Sequence, residues 1–178
     1  MMKRKTTILF AAISAFLALP AAEGLGETRL QKTFGPWRVD CTEPDGKGAK
    51  SCTLRFALVN TESKRVVFSW TVARKDKQSA ANKVIVRTPT GVLLPDGVSI
   101  AFAGTEPVKV SYLTCGPNAC FAEFDFSDQW VKAFAGKPSV SVSYKAVNGT
   151  PLRHEIDLKD FAAGLAFFTA QLDAATAQ

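Results

Sequence analysis

Four cysteines stand in two close pairs along this chain, and their thiols are the first groups to examine for chemistry. Cys41 is followed by Cys52, and Cys115 and Cys120 enclose the string Cys-Gly-Pro-Asn-Ala-Cys. Zinc binding by all four is disfavoured, because ten residues between the first two is a poor ligand spacing. A thioredoxin-type redox site uses Cys-x-x-Cys, whereas four residues separate the second pair. Two structural disulfides are favoured, and the spacing favours local pairing among the three possible connectivities.

The chain has one histidine, His154, which lies between Arg153 and Glu155 on a predicted strand. A Ser–His–Asp triad would have to be built around this histidine, yet no Gly-x-Ser-x-Gly elbow supplies the nucleophile. Metal binding at a single histidine would need several converging carboxylates, and none is indicated locally. We therefore expect His154 to be a surface strand residue that pairs with its charged neighbours.

Two carboxylates, Glu123 and Asp125, alternate with Ala122, Phe124 and Phe126 and so share one face of a predicted strand. Residues i and i+2 of a strand lie about 6.6–6.8 Å apart, which is within the range of an inverting glycosidase. A hydrolase that uses this pair is therefore an alternative function. A solvent-facing row opposite a Phe-rich core face produces the same pattern without any catalysis.

Three tryptophans are candidates for recognition of a sugar or a peptide. Trp70 belongs to an apolar strand face, and Trp130 belongs to a short predicted helix, so we expect both to pack in the core. Trp37 follows a Gly-Pro pair and is expected to pack over the predicted Cys41–Cys52 bond.

The first residues have the order of a secretory signal. Residues 1–5 carry three positive charges, residues 8–19 form an apolar run, and small residues follow at Ala21, Ala22 and Gly24. The run of about a dozen residues is shorter than the roughly 20 that cross a bilayer as a helix. We predict a signal peptide at 1–22 that is cleaved near Ala22 or Gly24, with no transmembrane anchor. The expected location is the bacterial periplasm or outside the cell, where cysteine pairs become disulfides.

The remaining chain has the size of one domain. We predict a flexible lead at 23–33, a single β-sandwich domain at 34–172 and a tail at 173–178. Signal removal takes three basic residues and leaves 19 basic against 16 acidic ones, a net charge of about +3. Nucleic-acid binding is not expected, because it needs a longer basic stripe on a known module.

Period-two alternation of apolar residues predicts several short strands separated by turn residues, among them Asn148-Gly149. A short helix is predicted from Ser127 or Asp128 to Ala135, with Gly136 as its end. A second, amphipathic helix is predicted from Asp157 toward Leu172. The fold class is therefore mainly β, an antiparallel β-sandwich with one short helix, a C-terminal amphipathic helix and two local disulfides. The apolar face of the second helix comprises Phe161, Leu165, Phe168 and Leu172.

Several of these segments together resemble the invasion-associated locus B family. Residues 34–41 (Phe-Gly-Pro-Trp-Arg-Val-Asp-Cys) are similar to its Phe-Gly-x-Trp-x-x-x-Cys opening, and residues 88–98 are similar to its Pro-x-Gly-Val-x-Leu-x-x-Gly-Val block. The turn at 115–120 resembles its second cysteine-containing turn. The closing Gly-Phe-x-x-Ala-Leu region matches in part, because Asp160 replaces the glycine and Gly164 the alanine.

The resemblance implies an exported, β-rich bacterial protein and supplies no catalytic residues, cofactor or metal. We expect a non-enzymatic envelope or periplasmic protein that binds a partner or supports the envelope, with a contribution to host-cell invasion in a pathogen. The partner would be an unidentified envelope or host-surface protein, and the oligomeric state is left open. The alternatives are the hydrolase with Glu123 and Asp125, and a thiol-disulfide role for Cys115 and Cys120.

Overall fold

The computed structural model describes residues 28–43, 50–76 and 79–176 of the 178-residue chain. The predicted signal peptide and its cleavage sites lie outside the described residues. Within those ranges the chain forms eleven strands, two α-helices and a 3-10 turn at Leu94–Asp96. The mainly β content with two helices confirms the fold class predicted from the sequence.

The larger sheet has seven antiparallel strands. They are β1 (Thr28–Phe34), β2 (Trp37–Glu43), β3 (Ser51–Val59), β4 (Val66–Arg74), β5 (Asn82–Thr88), β8 (Tyr112–Cys115) and β9 (Cys120–Phe126). Their spatial order is β1-β2-β3-β4-β5-β9-β8. The first five strands thus pair in chain order, which requires only local hairpin connections.

The smaller sheet has four antiparallel strands. They are β6 (Val98–Ala101), β7 (Val108–Val110), β10 (Ser139–Lys145) and β11 (Pro151–Asp157). Their order is β11-β10-β6-β7. A single residue, Ser111, joins β7 of this sheet to β8 of the larger one. Both sheets contribute to one buried apolar cluster, as in a β-sandwich.

The predicted alternation of apolar residues is confirmed where it is strongest. On β3, Cys52, Leu54 and Phe56 are buried, while the intervening Thr53 and Arg55 are half-buried. Successive side chains of a strand point to opposite faces of the sheet. The face that carries Leu54 therefore points into the core, and the other face points outward.

The expected flexible lead at 23–33 is wrong from residue 28 onward, because these residues form β1. The Gly35-Pro36 turn folds β1 back onto β2, and the pairing continues from Phe34 opposite Trp37 to Thr28 opposite Glu43. β1 lies at the edge of the sheet, where polar side chains are tolerated on both faces. Main-chain pairing therefore forms this strand without the apolar alternation that marks the others.

The two helices are α1 (Asp128–Phe134) and α2 (Phe161–Thr176). α1 agrees with its predicted position, and Gly136 follows it with a φ of 71°. The predicted start of the second helix at Asp157 is wrong, because Asp157 pairs with Ser139 as the last residue of β11. The helix also continues to Thr176, beyond the boundary expected at residue 172. On its predicted apolar face, Phe161, Phe168 and Leu172 are buried and Leu165 is half-buried.

The predicted Asn148-Gly149 turn is confirmed between β10 and β11. Gly149 has a φ of 83°, and its amide donates to the Ala146 carbonyl at 2.8 Å. The Asn148 side chain accepts the amide of Thr150 at 3.0 Å. A left-handed residue and a side-chain acceptor are what a tight hairpin turn requires.

Asp160 precedes α2 in a backbone conformation that costs energy for a residue with a side chain. Its φ is 59°, in the left-handed region. The left-handed conformation costs about 1–2 kcal/mol for an ordinary L-residue, and less for aspartate. The position is also the one at which the family pattern described above has glycine.

We expect Asp160→Gly to raise the free energy of unfolding by about 0.5 kcal/mol. Relief of the left-handed strain exceeds the extra chain entropy that glycine loses on folding. Asp160→Ala keeps the unfavourable φ and is expected to be less stable than the glycine variant. Urea denaturation of the three proteins measures the difference. A glycine variant less stable than the parent would show that the Asp160 carboxylate, packed beside Gly35, outweighs the strain.

Candidate functional site

The four cysteines form two local disulfides, Cys41–Cys52 and Cys115–Cys120. Each bond joins two residues that face each other across an antiparallel strand pair, the first between β2 and β3 and the second between β8 and β9. Three of the four residues are buried, and Cys115 is exposed. The first disulfide is therefore part of the core, and the second closes a surface hairpin.

The two candidate catalytic carboxylates each lie beside a lysine on the outer face of the larger sheet. Lys83 Nζ donates to the Glu123 carboxylate oxygens at 3.0 and 2.9 Å. Lys75 Nζ lies 3.0 Å from Asp125 Oδ1, and this hydrogen-bonded ion pair raises the pKa of Lys75. The two carboxylates thus lie on an outward-facing row of the sheet, which is the alternative to a hydrolytic pair that the sequence analysis gave. The structure adds that each carboxylate is paired with a lysine.

His154 does not lie where the sequence analysis expected it. Its Nε2 atom is 2.9 Å from the Tyr144 hydroxyl of the neighbouring strand β10. The expected partners, Arg153 and Glu155, pair with each other instead at 2.8 Å. The expectation was wrong because His154 shares its strand face with the buried Ile156. Period-two alternation therefore directs the imidazole inward.

Burial determines the protonation of the His154–Tyr144 pair. The His154 ring centroid is 4.7 Å from that of Phe68 on the opposite sheet, and desolvation lowers the pKa of His154. Desolvation, with a smaller contribution from the nearby Tyr112, raises the pKa of Tyr144 to about 12. The Tyr112 hydroxyl in turn lies 3.3 Å from Thr88 Oγ1. At neutral pH the histidine and tyrosine therefore form an uncharged hydrogen bond that links β10 and β11.

We expect the protein to lose stability as the pH falls below about 6.5, the ordinary histidine pKa. In that range the unfolded chain binds a proton at His154, whereas the folded protein resists it until a lower pH. The free energy of unfolding therefore decreases until the folded-state pKa is reached. Urea titrations between pH 7.5 and 5.5 should show this decrease and a flatter profile for His154→Gln. The chain has no other histidine, so the difference between the two profiles reports on His154 alone. An equal decrease in the variant would show that His154 is not the cause.

The tryptophans contribute more to the core than to an exposed recognition surface. Trp37 and Trp70 are fully buried. Trp37 Nε1 donates to the Asp157 carbonyl at 2.9 Å, which joins the larger sheet to the end of β11. Trp130 on α1 is half-buried, with its ring centroid 4.7 Å from that of Phe124. The core packing predicted for Trp70 is confirmed, and that predicted for Trp130 is confirmed in part.

A groove of about 750 Å³ runs between α1 and α2. Its floor is apolar, and one side is formed by small residues of α2 at intervals of one turn. Two charged residues line it, Lys137 just after α1 and Asp173 near the end of α2. A concave, largely apolar surface with a few polar groups is the usual form of a ligand site. The lining residues used below are Phe134, Leu158, Phe161 and Leu165 on the floor, and Ala162, Ala166, Thr169 and Ala170 along α2.

Aromatic contacts fix the floor of the groove. The Phe161 ring centroid lies 5.0 Å from that of Phe134 and 4.7 Å from that of Trp37. Phe134 in turn packs edge-on against Phe126 of β9 at 5.5 Å. The first residue of α2 and the last of α1 are thereby joined to the strands beneath them. The groove is therefore built on a rigid aromatic core.

Close packing and two polar contacts hold α2 on the sheet. A Cβ at Gly164 would lie 3.0 Å from Leu54 Cδ1, so glycine allows the helix to approach β3. Lys50 Nζ donates to Gln171 Oε1 at 2.8 Å, and an Arg74 guanidinium nitrogen lies 2.9 Å from Asp173 Oδ1. These contacts fix the position of α2 on the larger sheet, and with it the position of the groove wall that α2 forms.

The sequence analysis did not predict this groove. One signal was present, because Ala162, Ala166 and Ala170 recur at intervals of four residues on a helix with little charge. That pattern shows a face of small residues but not what lies opposite. The opposite wall comes from α1, which is separated from α2 by the β10–β11 hairpin.

In the part of the chain that the structure describes, no three His, Cys, Asp or Glu residues come together as a metal site would require. None of the described helices has both the length and the apolar character needed to cross a membrane.

Comparisons with known proteins agree on one relationship. The family described as Invasion associated locus B (IalB) protein matches residues 37–168, about three-quarters of the chain. Invasion protein B homologs of Brucella abortus strain 2308 and of Brucella abortus biovar 1 strain 9-941 are each 26% identical over 159 residues, which covers 88% of both chains. These names refer to invasion and to no reaction.

A solved structure shares the fold. The crystal structure of invasion associated protein B from Bartonella henselae matches with a TM-score of 0.67 at 21% identity, covering 82% of this chain and 98% of that one. The family match includes β2 with Cys41, both disulfides and the first half of α2. The chain belongs to the invasion-associated locus B family.

Proposed function

We propose that this protein is an exported, non-enzymatic component of the bacterial periplasm or envelope that acts by binding a partner in the groove between α1 and α2. The observation that carries the proposal is the groove itself, about 750 Å³ of mostly apolar surface on a rigid aromatic floor. In a bacterium that enters host cells, this binding would contribute to invasion, as the names of the relatives suggest.

Export is supported by the covalent structure and by the start of the sequence. Both disulfides close short loops, with 11 and 5 residues of sequence separation. Such bonds persist in oxidising compartments and are rare in the bacterial cytosol. The charged start, short apolar run and small residues before residue 25 have the order of a cleavable signal.

Binding rather than catalysis is supported by the chemistry of the groove. Its floor is formed by phenylalanine and leucine, and its two charged residues stand at opposite ends. The titratable groups that the sequence offered for catalysis lie elsewhere. Glu123 and Asp125 are paired with lysines on the outer sheet face, and His154 is bonded to Tyr144 between the sheets.

Site-specific photo-cross-linking in living cells tests this proposal. A photoreactive phenylalanine analogue placed at Val131 or Ala135 would stand on the α1 side of the groove, whereas Ala163 is an exposed position of α2 outside it. We expect one recurrent adduct from the two groove positions and none from Ala163. No adduct at any position, or equal adducts at all three, would contradict a role for the groove.

A further inference from the structure

We infer that the groove between α1 and α2 binds the single acyl chain of an anionic amphiphile of the long-chain fatty acid type, with its head group at Lys137. The inference rests on the proposed function, in which this groove is the binding site. Three features of the groove lead to it, namely its dimensions, its lining and the position of its charges.

The dimensions fit one hydrocarbon chain. The groove follows α2 from Phe161 to Asp173, which at 1.5 Å per residue is about 18 Å. A volume of about 750 Å³ over that length gives a mean cross-section of about 40 Å². An acyl chain in one leaflet of a bilayer spans about 15 Å. The groove is therefore long enough and wide enough for a single extended hydrocarbon chain.

The lining suits a ligand without polar groups along its length. Between Phe161 and Leu172, α2 has no charged residue, and within that span its groove side is formed by three alanines, one phenylalanine, one leucine and one threonine. Thr169 supplies the one side-chain hydroxyl of the lining. An extended peptide would bring a donor and an acceptor at every residue, and these groups are costly to bury without partners. A hydrocarbon chain carries no such requirement.

The charges orient the ligand. Asp173 at one end is bonded to Arg74. Lys137 at the other end is exposed, and none of the residues that the structure describes forms an ion pair with it. The uncompensated charge on the rim is therefore positive, which favours an anionic head group at that end.

Binding of palmitate to the purified mature protein, below the micelle concentration and followed by calorimetry, tests the inference. We expect saturable binding of one palmitate per chain. Ala166→Phe fills the groove and is expected to weaken binding at least about tenfold, while Ala163→Phe on the same helix leaves it unchanged. Lys137→Gln is expected to weaken the binding of palmitate about fivefold and to leave the binding of hexadecanol, which has no charge, unchanged. Lys132→Gln is the control for this variant. Thermal unfolding of each variant confirms that it is folded.

Absence of saturable palmitate binding, or binding that Ala166→Phe does not weaken, would overturn the inference. An equal loss of affinity for palmitate and for hexadecanol in Lys137→Gln would overturn the assignment of the head group to Lys137. The cross-linking experiment distinguishes failure of the acyl-chain inference from failure of the proposed function. A protein adduct from Val131 and Ala135 without palmitate binding refutes the acyl ligand and leaves the groove as a binding site. Absence of both refutes the two proposals together.

Discussion

Trp37→Ala is expected to lower the free energy of unfolding by about 3–5 kcal/mol, the usual cost of removing a buried aromatic side chain. The Trp37 side chain is fully buried between Phe56 and Phe161, with ring centroids 5.7 and 4.7 Å away. Its loss leaves a cavity at the point where β2, β3 and α2 meet. Its indole N–H also joins the larger sheet to the Asp157 carbonyl at the end of β11. Urea denaturation at pH 7.5 measures the loss.

A pair of phenylalanine variants separates the hydrogen bond from the packing. Trp70 is buried to the same extent as Trp37, but its indole N–H has no hydrogen-bond partner among the described residues. Trp37→Phe removes a satisfied donor, whereas Trp70→Phe removes an unsatisfied one, and the volumes lost are equal. We expect Trp37→Phe to cost about 1–2 kcal/mol more than Trp70→Phe. Equal losses would show that the bond to Asp157 contributes nothing to stability.

The strands that the sequence predicts well are those with one face in the core. β3 alternates between buried and half-buried residues from Cys52 to Phe56 because the face that carries Leu54 is in the core. On β4 the apolar face with Phe68, Trp70 and Val72 is likewise buried, and Ser69 of the other face is buried as well. The disulfide pairing was also predictable, because the two cysteines of each pair are close in sequence, with separations of 11 and 5 residues. Local periodicity and short connections are properties of the sequence itself.

The errors arise where partners distant in the sequence determine the structure. β1 is held by its main-chain pairing with β2, which does not depend on the polar side chains of residues 29–33. The sequence predicts that a helix begins at Asp157, yet the pairing of this residue with Ser139 makes it the last residue of β11. His154 stands between two charged residues, and only the alternation with Ile156 shows that it points inward.

The groove could not be predicted, because its walls belong to two helices separated by a hairpin. The aromatic contacts of Phe134 with Phe126 and Phe161 determine where the end of α1 lies relative to α2. Gly164, the position at which the family pattern has alanine, lets α2 approach Leu54. These tertiary contacts determine the width of the groove, and no local pattern encodes them.

Removal of the Cys41–Cys52 bond is expected to cost more stability than removal of Cys115–Cys120. The chain-entropy model gives about 2.8 kcal/mol for the 12-residue loop and about 2.2 kcal/mol for the six-residue loop. Cys41 and Cys52 are both buried, so Cys41→Ala/Cys52→Ala also loses core packing and should cost about 3–4 kcal/mol. Cys115 is exposed, so Cys115→Ala/Cys120→Ala should cost about 2 kcal/mol. Urea denaturation without reductant measures both losses.

The Cys115→Ala/Cys120→Ala variant, together with the single variant Cys120→Ala, decides between a structural and a thiol-disulfide role for the second pair. If Cys115 and Cys120 are structural, the Cys115→Ala/Cys120→Ala variant, assayed at a temperature where it is fully folded, keeps the cross-linked adduct from Val131. If they exchange disulfides with a partner, that variant loses its function while remaining folded, and a mixed disulfide accumulates in Cys120→Ala, which retains the exposed Cys115. Because Cys115–Cys120 joins β8 to β9, and neither strand contributes a residue to the groove lining, we expect the first result.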